Sequence, residues 1–144
     1  MRKCLILVIS LLLTACVDDS ASYYIDGRDH ALTLRRAQAY FWQDQATLSL
    51  VAVRLPDCQR RHALTLAPAM AVDIDVFASG ERTWTLRSGQ ETWQVETQGC
   101  TLSPVAPVAE PGARVGAFKV RDGKLIFEPA AAGASAAAPA PVAE

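Results

Sequence analysis

Two carboxylates, those of Asp73 and Asp75, are spaced in this sequence as a pair that could do acid–base chemistry. They alternate with Val72, Ile74 and Val76, which predicts a strand with one buried face and one wet face. Both carboxylates would project from the wet face about 7 Å apart, within the range of paired acids in glycoside hydrolysis. Exposed acids on an amphipathic strand are the commoner case. We therefore expect a solvated face and no catalytic residue here.

Two histidines could serve as metal ligands. His30 and His62 are each in phase with alternating leucines, and Asp26 or Asp29 could join them around a metal ion. Histidine at the rim of a core is the commoner arrangement. The sequence holds no Gly-x-Ser-x-Gly, His-Glu-x-x-His, Cys-x-x-Cys or Gly-rich phosphate loop. We therefore expect no metal, no cofactor and no enzymatic activity, and an enzyme of unrecognised type remains the alternative.

Cys58 offers a third kind of chemistry. The segment DCQRRH that begins at Asp57 places two arginines and a histidine beside this thiol. Positive charge lowers the pKa of a thiol, and a neighbouring base activates it as a nucleophile. The alternative is a disulfide bond with Cys100, and the compartment in which the chain folds decides between the two.

The amino terminus indicates that compartment. Positive charge at Arg2 and Lys3 is followed by an apolar run from Leu5 to Leu13 that only Ser10 interrupts. This arrangement is typical of an export signal. The run is too short to cross a bilayer, which takes about 20 residues.

The signal ends in Leu13-Thr14-Ala15-Cys16, which resembles the lipobox of bacterial lipoproteins. The resemblance implies removal of residues 1–15, a thioether-linked diacylglycerol on Cys16 and acylation, as by palmitate, of the new amino terminus. Two or three acyl chains make membrane attachment effectively permanent, whereas one gives only marginal attachment. Val17 follows the cysteine where an inner-membrane lipoprotein of enterobacteria would have Asp. The resemblance therefore implies an outer-membrane protein that faces the periplasm.

The four cysteines are then all accounted for. Cys4 leaves with the signal, and Cys16 carries lipid. Cys58 and Cys100 remain in an oxidising compartment, where two thiols in a small domain most simply form a disulfide bond. Closing a loop between cysteines 42 positions apart stabilises the fold by roughly 4 kcal/mol on the chain-entropy model. We predict the Cys58–Cys100 bond.

The charge of the chain argues against nucleic acid as a partner, and a group of arginines forms one candidate binding loop. The chain has 14 basic and 15 acidic side chains, and loss of Arg2 and Lys3 with the signal leaves a mature charge of −3. Nucleic acid is therefore not expected as a partner. Arg54, Arg60 and Arg61 surround Cys58, so a disulfide there would fix a basic loop that could bind an anionic surface. A solvated loop is the commoner alternative.

The mature chain predicts a mainly β fold. Period-two alternation marks strands from Ala31 to Val95, and Asp122-Gly123 predicts a hairpin in which Val120 faces Leu125. We expect a small antiparallel sandwich or barrel of about seven or eight strands. The expected organisation is a signal peptide (1–15), a lipidated tether (16–22), a β domain (23–100), a Pro/Ala linker (101–112), a β-hairpin (113–128) and a disordered Ala/Pro tail (129–144).

The lipobox and this layout resemble those of small proteobacterial envelope lipoproteins. The resemblance implies a membrane-anchored protein with a non-enzymatic structural or interaction role, whose partner is an envelope protein or peptidoglycan. A second resemblance covers about 15 residues. The segment Ser79-Gly80-Glu81-Arg82-Thr83-Trp84 is similar to the Ser-Gly-x-x-Tyr motif of the membrane-bound inhibitors of c-type lysozyme, with Thr83 where that family has Tyr. It implies the alternative function of a hydrolase inhibitor, with Ser79 in the inhibitory motif.

Overall fold

Two antiparallel sheets make up the fold. The computed structural model describes residues 17–40 and 42–131, and these form ten strands and no helix. The strands are β1 (Val17–Tyr24), β2 (His30–Gln38), β3 (Gln45–Arg54), β4 (Cys58–Pro68), β5 (Asp73–Gly80), β6 (Thr83–Ser88), β7 (Glu91–Glu96), β8 (Thr101–Pro104), β9 (Ala113–Arg121) and β10 (Lys124–Pro129).

The first sheet has the order β1-β2-β3-β4, and the second has the order β10-β9-β5-β6-β7-β8. Buried side chains of both sheets form one hydrophobic core, so the sheets pack face to face as a sandwich. The predicted fold class is confirmed. The described residues form ten strands, where seven or eight were expected, because β1 and β8 lie in segments whose composition is polar or rich in proline.

The segment expected to be a tether, residues 16–22, is a strand from Val17 onward. β1 pairs with β2 along its whole length, from Val17 opposite Gln38 to Tyr24 opposite Ala31. Inward-facing residues alternate with exposed ones, and Ala21 is buried in the core. The prediction of a tether was wrong because the inward positions of this strand include Asp19, which looks solvated in the sequence but lies opposite Arg36.

The expected linker, residues 101–112, also begins as a strand. β8 pairs with the edge of β7, and Leu102 lies opposite the buried Val95. An edge strand needs hydrogen bonds on one side only, so a short, proline-containing segment can form one. The connection that follows, from Val105 to Gly112, runs past Thr85 and Gln94 on the outer face of the second sheet.

The predicted hairpin at Asp122-Gly123 is confirmed, with φ angles of 49° and 76° at the two turn residues. Val120 lies opposite Leu125, as the two-residue turn requires. The hairpin is not a separate unit, since β9 also pairs with β5 in the second sheet. The expected signal peptide, Cys16 and most of the tail lie outside the described residues.

The two long sides of the sandwich are closed in different ways. On one side a disulfide bond joins Cys58, at the start of β4, to Cys100, just before β8. On the other side the fully buried Arg36 forms an ion pair with Asp19 and donates a 2.8 Å hydrogen bond to the carbonyl of Gly123 in the second sheet. Asp19 in turn accepts a 2.8 Å hydrogen bond from the amide of Leu125. Each closure therefore ties one edge of the first sheet to the second.

Candidate functional site

The disulfide bond is the predicted site that the structure shows directly. The Cα atoms of Cys58 and Cys100 are 5.9 Å apart, and the sulfurs are bonded. The Nε2 atom of His62 donates a 2.7 Å hydrogen bond to the main-chain oxygen of Cys100. The alternative of a reactive thiol at Cys58 with His62 as its base is therefore wrong, because the sulfur is in a bond and the imidazole faces a carbonyl.

The three arginines around Cys58 do not share one face. Arg60 lies opposite Ala52 and Arg61 opposite Val51 on β3, and successive strand residues point to opposite faces of a sheet. The Nε atom of Arg61 donates a 3.1 Å hydrogen bond to Ser49 on the outer face of the first sheet. Because Arg60 and Arg61 are neighbours in one strand, their side chains lie on opposite faces of the first sheet.

Arg54 has a different environment from the other two arginines. It ends β3 and forms a 3.5 Å ion pair with Asp57. Its Nη1 atom is buried and has no hydrogen-bond partner among the residues that the structure describes. His30 lies opposite Arg54 on β2, so the positive charge of Arg54 disfavours the protonated form of the His30 ring.

His30 belongs to a polar cluster inside the end of the sandwich that carries the disulfide bond. Its Nε2 atom lies 3.0 Å from the hydroxyl of Thr97, which is fully buried, and its ring makes an edge contact with Trp84 at 5.7 Å. Burial lowers the pKa of the His30 imidazole below its ordinary value, the charge of Arg54 lowers this pKa further, and Asp26 raises it.

This shift predicts a loss of stability in mild acid. The neutral ring is favoured in the folded protein, so the unfolded chain binds the proton first as the pH falls through 6.5. The His30 contribution is fully present above that value and declines below it. We expect the free energy of unfolding to fall between about pH 7.5 and about pH 5.5, and to fall less in the His30→Gln variant. Urea titrations at both pH values measure it, and an equal decline in parent and variant would contradict the assignment.

The paired carboxylates lie on the outer face of the second sheet, as the alternation predicted. Asp73 is exposed, while Asp75 forms a 2.7 Å ion pair with Arg114 and lies 4.0 Å from Arg87. The guanidinium of Arg87 lies 4.7 Å from the ring centre of Phe77. Asp75 is therefore part of an ion-pair network on an exposed face. Among the described residues, no group of three His, Cys, Asp or Glu side chains is placed to hold a metal ion.

Ser79 is near the end of β5, beside a groove of about 440 Å³ that the connection Val105–Gly112 forms with the second sheet. Its hydroxyl lies 2.5 Å from that of Thr85 on the neighbouring strand. The structure thus places this serine on the sheet, paired with another side chain.

The structure also shows a surface that the sequence analysis missed. Tyr40 and Trp42, in the connection between β2 and β3, stack with ring centres 4.8 Å apart and are 52% and 65% exposed. Leu66, near the end of β4, is 61% exposed, and Met70, in the next connection, is 65% exposed. We call these four residues the aromatic end. The run Tyr-Phe-Trp between two strands was the available signal, since three successive aromatics are unusual in a polar connection.

Hydrogen bonds and pairing bring the parts of the aromatic end together. Gln45 lies opposite Pro68, and the amide of Ala69 donates a 2.8 Å hydrogen bond to the carbonyl of Asp44. Both connections line one hollow, to which Met70 contributes. The same end of the sandwich holds Val17, the first residue of β1.

No comparison identifies the chain. No family model, curated protein or solved structure matches it. Within residues 17–40 and 42–131, the structure contains no helix of the length and apolar character needed to cross a membrane.

Proposed function

We propose that this protein is an exported lipoprotein, anchored to the outer membrane through a diacylglycerol on Cys16, with its β-sandwich in the periplasm. The sandwich acts without catalysis, as a structural or interaction module that contacts an envelope protein or peptidoglycan. The observation that carries the proposal is the disulfide bond between Cys58 and Cys100. Such bonds persist in oxidising compartments and are rare in the cytosol, so the bond supports export.

The position of β1 adds a geometric argument. The lipobox cysteine immediately precedes Val17, and Val17 is already paired with Gln38 in the first sheet. A lipid on residue 16 would therefore hold the folded body directly against the bilayer surface, with no flexible spacer between them. This arrangement suits a protein that contacts neighbours at the membrane.

The test is the Cys16→Ser variant of the full-length chain, expressed in a Gram-negative host. The thioether cannot form on serine, so we expect loss of palmitate labelling and release of nearly all of the protein from the membrane fraction. Cys4→Ser is the matched control, because this cysteine lies in the expected signal and should be dispensable. Parent protein without label, or a Cys16→Ser variant that labels and sediments like the parent, would contradict the proposal.

A further inference from the structure

The aromatic end lies next to the point at which the chain enters the sandwich. Val17 pairs with Gln38, and Tyr40 is two residues beyond Gln38. The lipobox cysteine precedes Val17 by one peptide bond. Covalent geometry and strand spacing therefore keep the Cα atom of Tyr40 within about 17 Å of the residue that would carry the lipid.

Exposed apolar side chains are concentrated at this end. Among the described residues, eight large apolar side chains are exposed, and four of them, Tyr40, Trp42, Leu66 and Met70, form the aromatic end. Tyr and Trp combine an apolar ring with a polar group, which is why both are enriched where a bilayer meets water. A side chain of Leu or Met beside them adds apolar area that the acyl region can bury.

Charge around the aromatic end is roughly balanced. The charged side chains that line the hollows beside it are Asp44, Asp73, Lys119 and Arg121, and the ion pair between Asp18 and Arg35 lies next to Val17. Such a surface neither attracts nor repels an anionic bilayer strongly. Burial of apolar surface would therefore supply most of the attraction, and added salt should change it little.

From this placement we infer that the aromatic end inserts into the interfacial layer of the bilayer that holds the lipid anchor. The inference rests on the proposed function, because the anchor brings the end to the membrane. One anchor fixes a position and leaves the body to rotate, whereas a second contact fixes its orientation. The strands then point away from the bilayer, and β3, with ten residues, places Arg54 and the disulfide bond about 30 Å from the surface.

The three tryptophans make the inference testable by fluorescence. Trp42 is 65% exposed, whereas Trp84 and Trp93 are 4% and 7% exposed in the core. The full-length chain would be expressed, and its lipidated mature product would be reconstituted in vesicles of phosphatidylethanolamine and phosphatidylglycerol, with and without brominated acyl chains. The Trp42 emission is the difference between the emission of the parent protein and that of the Trp42→Phe variant. Interfacial insertion brings this indole to the acyl boundary, so we expect brominated lipid to quench about half of the Trp42 emission.

The matched control moves the probe to the opposite end. Tyr24, at the far end of β1, is 58% exposed, and Tyr24→Trp in the Trp42→Phe background should be quenched little. Vesicle flotation distinguishes the proposed lipid anchor from the proposed insertion of the aromatic end. Protein that floats while Trp42 is unquenched, or while both probes are quenched equally, would overturn the orientation and leave the anchor standing. Protein that fails to float would overturn both.

Discussion

Replacing Arg36 by Met should lower the free energy of unfolding by about 3 kcal/mol, the lower end of the range found when one partner of a buried ion pair is removed, because the Asp19 side chain is 28% exposed. The Arg36 side chain is fully buried and forms two hydrogen bonds with the Asp19 carboxylate, at 2.8 and 2.7 Å. It also donates to the carbonyls of Ala69 and Gly123, which belong to two other connections. Met fills a similar volume but leaves a carboxylate and two carbonyls without this donor.

The neighbouring arginine provides the control. Arg35 also forms hydrogen bonds from two nitrogens to an aspartate of β1, Asp18, with a shortest distance of 2.8 Å. The side chains of this pair are 43% and 55% exposed, so solvent screens the attraction. Arg35→Met should therefore leave stability nearly unchanged. Chemical denaturation of the parent protein and the two variants measures the free energies of unfolding. Similar losses for Arg35→Met and Arg36→Met would show that burial does not determine how much these ion pairs contribute to stability.

Loss of the disulfide bond should be comparably costly. The bond closes a sequence separation of 42 residues, which corresponds to roughly 4 kcal/mol on the chain-entropy model. A domain of this size has a total stability of about 5–15 kcal/mol, so the Cys58→Ala/Cys100→Ala variant should be close to unfolding. On the side that carries the bond, the two sheets would then be held by packing and by hydrogen bonds such as that from His62 to the carbonyl of Cys100, with no covalent link.

A reducing agent distinguishes the stability that the disulfide bond contributes from the stability that packing of the cysteine side chains contributes. We expect a reducing agent to shift the urea midpoint of the parent protein toward that of the double alanine variant, and to leave the variant unchanged. Cys100 is fully buried, so part of the loss in the variant comes from removing the sulfur atoms themselves. A parent midpoint that does not respond to reductant would contradict the prediction.

Local patterns were enough to predict most of the sheet structure. Alternation at Ile74 and Val76, and turn residues at Asp122-Gly123, indicate strand and hairpin without any knowledge of distant partners. The strands of the β6–β7 hairpin, in which Trp84 lies opposite Val95, show the same kind of alternation. Cysteine counting predicted the disulfide bond because only two thiols remained once Cys4 was assigned to an expected signal and Cys16 to an expected lipobox.

Features that depend on distant partners were missed. β1 contains Asp18, Asp19 and Ser20, and the carboxylate of Asp19 is paired with Arg36, 17 positions beyond it. The sequence alone presents Arg36 as an ordinary surface residue, although it is fully buried. The aromatic end was missed for the same reason, since the connection after β2 and Met70 meet at one hollow only through the pairing of β3 with β4.

The position of Val17 in β1 also has a mechanical consequence. If the bilayer holds residue 16, any pull between membrane and cell wall enters the fold through this strand. Two residues into the strand, Asp19 is joined to β2 through Arg36 and to β10 through the amide of Leu125. Tension would therefore be divided between both sheets almost at the point of entry, and would not peel β1 away from one neighbour alone.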